Sequence, residues 1–102
     1  MRPQLNKKKG KIEKRELERE TVKFHQHAQD RLIERGATES EVIATVKQGE
    51  TFPAKHGRAG FRRNFPFNGL WRGKHYATKQ IEAYAIKEDE GWLVITVVVR
   101  YF

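Results

Sequence analysis

His25-Gln-His-Ala-Gln-Asp-Arg-Leu-Ile-Glu-Arg-Gly36, followed at once by Ala37-Thr-Glu-Ser-Glu-Val-Ile-Ala-Thr-Val-Lys-Gln-Gly49, is the stretch that decides the fold. Phe24, Ala28 and Leu32 recur every fourth residue and form one apolar ridge of a helix. His27, Arg31 and Arg35 recur at the same spacing, which lines an imidazole and two guanidiniums along one border of that ridge. Gly36 stands where a helix stops in the left-handed conformation. Thr38-Glu-Ser-Glu41 then reads as a capping box, with Thr38 as N-cap and Glu41 at the third helical position. Val42, Ile43 and Val46 give this second helix an apolar face, and Gly49 ends it. Two apolar helix faces joined by so short a link pack together on one sheet.

The sheet is read from the other end. Trp92 to Phe102 contains Leu-Val-Ile-Thr-Val-Val-Val, a nearly continuous β-branched run. Apolar residues of both parities make it a central or doubly covered strand. Residues 77–87 form a second strand, with Ile81, Ala83 and Ala85 on one face and Tyr84 and Ile86 on the other. Phe61 to Phe67 forms a third, with Pro66 placing it at an edge or ending it. Asn68-Gly69 signals a turn, and Leu70 to Tyr76 reads as a loop with a basic and aromatic tip. Phe52 to Gly60 reads as a connection, and Thr21 to Phe24 as a short strand leading into the first helix. The expected fold is α+β: a helix hairpin on a three- to four-stranded antiparallel sheet, in the order (β)-α-α-β-β-β. Residues 21–102 form a single domain. Residues 1–20, with Lys7, Lys8 and Lys9 beside Gly10, are a basic tail, disordered or weakly helical.

Composition narrows the function. The chain has 102 residues, no cysteine and a formal net charge of +8. Without cysteine there is neither a disulfide framework nor a thiolate metal site. No apolar run approaches the roughly 18 residues of a membrane span, and no apolar stretch follows the basic N-terminus as in a secretory signal. A cytoplasmic location is expected. The charge is concentrated: residues 51–81 hold seven Lys and Arg and no acid, whereas residues 82–102 hold two basic and four acidic residues. Such a basic segment implies an anionic partner, a nucleic acid or an acidic protein. Lys55, His56, Arg62, Arg72, Lys74, His75 and Tyr76 are the RNA-binding candidates, because basic side chains interleaved with aromatics suit single-stranded RNA.

The pattern His27-Ala28-x-x-Arg31-x-x-x-Arg35-Gly36, a second helix, and strands ending in Thr96-Val97-Val98 resembles a family of small bacterial domains of unknown function. That family is similar to the RelE-like toxin superfamily and close to the BrnT-type toxins, and the resemblance spans roughly residues 22–101. It implies a RelE-like fold and a metal-independent ribonuclease that acts on free or ribosome-bound RNA. It also implies an acidic antitoxin as partner. Cleavage through the 2′-hydroxyl needs a base, an acid and cations for the phosphorane. Histidine can serve as acid or base near neutral pH, and arginine can grip phosphate bidentately. These needs are assigned to His27 as general acid or base, to Arg31, Arg58, Arg63 and Arg100 as cations, and to Tyr101 or Tyr76 as stacking platform or proton donor. Arg100 stands out because it interrupts an apolar strand. His25 and His27, two residues apart on a helix, face different ways, so no metal or other cofactor is expected. Trp71 and Trp92 are read as packing residues, Lys79 as a solvated strand residue, and Glu34 as the ion-pair partner of Arg35. The alternatives are a noncatalytic nucleic-acid-binding module and a protein-interaction module with a basic face.

Overall fold

The computed structural model describes residues 21–102. The elements, in order, are β1 (Thr21–Phe24), α1 (Gln26–Glu34), α2 (Glu39–Gln48), β2 (Glu50–Pro53), β3 (Ala59–Trp71), β4 (Lys74–Glu88) and β5 (Gly91–Tyr101). They build a five-stranded sheet in the order β1-β5-β4-β3-β2. β1 runs parallel to β5 and every other pair is antiparallel. The sheet is therefore mixed and larger than the antiparallel sheet expected from the sequence. The expectation for the basic tail, residues 1–20, lies outside the described residues.

The helices form for the reasons their sequences give. Thr38 Oγ1 accepts from the Glu41 amide at 3.1 Å and Glu41 Oε1 accepts from the Thr38 amide at 3.0 Å, so the capping box is complete. α1 lacks a Ser, Thr, Asp or Asn at its start. His25 caps it instead, its Nδ1 accepting from the His27 amide at 3.1 Å. Gly36 has φ +77°. A Cβ there would also collide with the Trp71 ring and the Tyr101 hydroxyl, so glycine serves the link twice over. Ala28, Leu32, Val42 and Val46 point into the sheet and meet Phe61, Ile81, Ala83, Ala85, Val94 and Val97. Ile81, Val42, Val94 and Val97 are fully buried, and each such aliphatic side chain contributes about 1.5–3 kcal/mol. Arg35 adds a charged anchor by donating to the Val97 carbonyl at 2.8 Å.

Both helices lie on the face that carries these odd-numbered β4 residues. The even-numbered ones, Gln80, Glu82 and Tyr84, project from the other face, on which no described helix packs. A bulge at β5, where Tyr84 pairs with Thr96 but Ala85 with Val94, keeps apolar residues on the helix side past an odd insertion.

Three local expectations change. Glu50–Pro53 is a strand, hydrogen-bonded to Ala59–Arg62, where a connection was read. Asn68-Gly69 is not the hairpin turn. The register shift between Pro66 and Gly69 makes it a bulge, and the chain turns at Arg72-Gly73, with φ of 52° and 81°. Residues 70–76 are thus strand ends and a tight turn, not a loop. Tertiary packing decides this: Trp71 stacks on Tyr101 at 4.8 Å and 14°, with Phe67 at 5.1 Å and Tyr76 at 5.8 Å from the same ring. Pro66 lies beyond Arg62, where β2 ends, so it sits on a free edge as its missing N–H requires.

Two side chains also differ from expectation. Lys79 is buried, not solvated, because it donates to the Gly36 carbonyl at 2.8 Å and to Glu41 at 3.2 Å. Glu34 pairs with Arg31 at 3.1 Å rather than with Arg35, which is spent on the sheet.

Candidate nucleic-acid interface

The sheet face on which no described helix packs carries a charged cluster built from three neighbouring strands. Glu82 of β4 pairs across with Arg62 of β3 on one side and Val98 of β5 on the other. Its side chain is only 4% exposed. Arg62 binds Oε2 through NH2 at 2.7 Å and Nε at 2.8 Å. Arg100 binds Oε1 through NH1 at 2.9 Å. Tyr84, two residues along the same strand face, donates its hydroxyl to Oε1 at 3.0 Å. Burial pushes the Glu82 carboxyl up, but the hydrogen bonds from Arg100, Arg62 and Tyr84 together outweigh it and hold the group below the usual carboxylate range. Burial also raises the Tyr84 hydroxyl, helped by the carboxylate it bonds. Glu82 is therefore ionised and Tyr84 neutral at physiological pH.

The arginines are not consumed by this contact. Arg62 and Arg100 are 37% and 54% exposed, and each guanidinium has five N–H donors. The cluster therefore presents unspent donors to solvent in fixed directions, which suits phosphate oxygens. Gln80 and Asn64, bonded at 2.9 Å, continue the polar face along the strands.

Beside the cluster lies a cleft of about 490 Å³ between the β2–β3 connection and the sheet, lined by residues including Phe52, Lys55, His56, Arg58, Tyr84 and Val98. Phe52 lies against Gly60 so closely that a Cβ there would enter its ring. It meets Tyr84 edge-on at 5.8 Å and carries the Arg62 guanidinium 4.6 Å above its face. His56 and Gly57 have φ of 63° and 71°, and the Arg58 amide donates to the Lys55 carbonyl at 3.3 Å. The connection is thus a tight turn that displays Lys55, His56 and Arg58.

The residues expected to act together are divided among five places. Lys55, His56, Arg58, Arg62 and Arg100 come together on the open face or its rim. His27 and Arg31 lie on the helix layer, across the sheet from them. His27 is exposed, its Nε2 accepts from Arg31 Nε at 3.5 Å, and Arg31 pairs with Glu34. Arg72, Lys74 and His75 are exposed at the β3–β4 tip, where Arg72 lies over Trp71 at 5.0 Å and Lys74 lies 5.7 Å from the Tyr76 ring. Arg63 bonds Gln48 at 2.6 Å and lies over Phe65. Tyr101 belongs to the covered side, where its hydroxyl donates to the Arg35 carbonyl at 2.7 Å. Burial raises its pKa, and the nearby Glu41 charge adds to this. Its position under Trp71 and Phe67 makes it a packing and anchoring residue.

The sequence reading overlooked Glu82, Tyr84 and Phe52. The signal for Glu82 is weaker than that for Arg100: it stands between the apolar Ile81 and Ala83, but its strand also carries Lys79 and Lys87. Among the described residues no group of three or more His, Asp and Glu side chains could hold a metal ion, and no helix is long and apolar enough to cross a membrane. Comparison of the chain with known protein families, curated proteins and solved structures found no match.

Proposed function

We propose that the open sheet face binds the phosphate backbone of RNA and that the domain is a metal-independent ribonuclease of the RelE-like, toxin type. One observation carries this reading: an ionised, almost fully buried carboxylate holds two half-exposed arginines on the sheet face where no described helix packs, beside a basic turn bearing a histidine. The arrangement takes a carboxylate out of water and in return fixes two cations in place at the surface.

The residues divide the chemistry as follows. A phosphate entering from solvent competes for Arg100, the more exposed of the two arginines. As Arg100 turns to the phosphate, Glu82 Oε1 is released to take the proton of the 2′-hydroxyl. The 2′-oxygen attacks phosphorus, the bond to the 5′-oxygen breaks, and His56 supplies the proton to that leaving oxygen. Arg62, Arg100 and Arg58 hold the added charge of the phosphorane. The products are a 2′,3′-cyclic phosphate and a free 5′-hydroxyl. An acidic antitoxin would neutralise such a protein by covering the same cations.

A second reading, binding without cleavage, is favoured by the satisfaction of Glu82 by three donor groups. Both readings require a salt-dependent RNA complex. For single strands the plot of log affinity against log salt should become shallower by about 0.7 for each phosphate-contacting cation removed, as in Arg62→Ala or Arg100→Ala. Induction of the protein in a bacterial host separates the two. Growth arrest with new RNA ends supports cleavage. Unimpaired growth with intact RNA, from soluble protein that binds RNA in vitro, selects binding alone. Absence of RNA binding at physiological salt removes both.

A further inference from the structure

We infer that the cleft walled by Phe52, Pro53, Tyr84 and Val98, with His56 and Arg58 on its rim, receives a nucleobase of the RNA strand whose phosphate lies on Arg62 and Arg100. The inference rests on the reading of the open face as a phosphate site and adds what that site recognises. Four observations support it.

The cleft and the charged cluster are one continuous surface. Tyr84 is a wall of the cleft and also donates to Glu82 at 3.0 Å; Phe52 is a wall and also carries Arg62 at 4.6 Å. A group bound in the cleft is therefore within one side chain of a group bound to the arginines. The walls are aromatic and aliphatic, whereas the rim is cationic, which matches a planar apolar base joined to an anionic backbone. The volume, about 490 Å³, lies in the range of small-molecule sites. Finally, the walls are held in place. Phe52 is pinned over Gly60 and against Tyr84, and the rim sits on a turn with two successive residues at positive φ. A shallow, preformed site of this kind can take a flat ring without reordering the loop.

Two ligands that share the sugar phosphate and differ only in the base test the inference. Adenosine 5′-monophosphate and ribose 5-phosphate are titrated separately into the isotopically labelled full chain and followed by amide chemical shifts. Adenosine monophosphate should shift the amides of Phe52, of residues 54–58, and of Thr96 and Val98, as well as those around Arg62, Glu82 and Arg100. It should bind about tenfold more tightly than ribose 5-phosphate, the gain expected from one stacked base. Ribose 5-phosphate should shift the arginine cluster alone. Ala54→Trp, which fills the cleft from its own wall, should abolish the preference for adenosine monophosphate. Should that variant not fold, the two ligands with the wild-type chain decide the matter. Equal affinities with shifts confined to the arginine cluster would overturn the base site and leave the phosphate site standing. Failure of both ligands to shift the cluster would overturn the underlying reading as well.

Discussion

Ile81 and Glu82 are neighbours in β4, and both are buried, by opposite means. Ile81 points to the helices and is excluded from water by Val42, Val97 and other aliphatic side chains. Glu82 points to the uncovered face and is enclosed by two arginines and a tyrosine hydroxyl. The first burial is non-directional and stabilises in proportion to area. The second takes an ion out of water and regains that cost only while its hydrogen-bond geometry holds. One face of the sheet therefore carries the apolar core, and the other carries a charged cluster. The basic row along α1 is divided too: Arg35, at the helix C-cap, reaches the sheet, whereas His27 remains in solvent.

The contrast is broken most forcefully at Glu82. Glu82→Gln keeps the shape but cannot take a proton, so RNA cleavage should fall by about 10²- to 10⁴-fold, with RNA affinity retained, measured by gel assay and by binding. Next comes Ile81→Ala, which should cost about 2–5 kcal/mol of stability by urea denaturation. Whatever fraction remains folded should bind RNA as before, because the side chain faces the helices. If Ile81→Ala and Glu82→Gln have the same profile, the division between the faces is wrong.

Acid sharpens the contrast further. The folded pKa of Glu82 is depressed, so its contribution to stability is present above the ordinary value of 4.5 and is lost as pH falls through the lowered folded value. Wild-type stability should therefore decline in that acid range more steeply than that of Glu82→Gln, measured by denaturation at a series of pH values. The smallest effect belongs to His27→Ala. Its side chain is exposed and accepts a hydrogen bond from Arg31, so stability should change by no more than about 0.5 kcal/mol.

The covered face was legible in the sequence and the open face largely was not. Helix periodicity, the capping box and the alternation of Ile81, Ala83 and Ala85 are local patterns, and local forces produce what they announce. The turn at Asn68-Gly69 failed because a distant contact, Trp71 on Tyr101 and Gly36, outweighed a good turn dipeptide. The charged cluster is harder still to read. Arg62, Glu82 and Arg100 are far apart in the chain and meet only through strand register, which no local pattern reports. Arg100 is visible as a charge in an apolar run, whereas Glu82 shares its strand with Lys79 and Lys87 and stands out less. Their pairing is not visible there, and the local pattern offers His27 as a centre instead.

Single-stranded RNA incubated with the full chain in the presence of EDTA, using wild type, Glu82→Gln and His27→Ala, tests the central claim most directly. The open face as the site of chemistry predicts cyclic-phosphate products from wild type and His27→Ala, at rates within about twofold of each other, and none from Glu82→Gln beyond its residual rate. Products from Glu82→Gln at the wild-type rate, with activity lost in His27→Ala, would contradict it and move the chemistry to the helix layer.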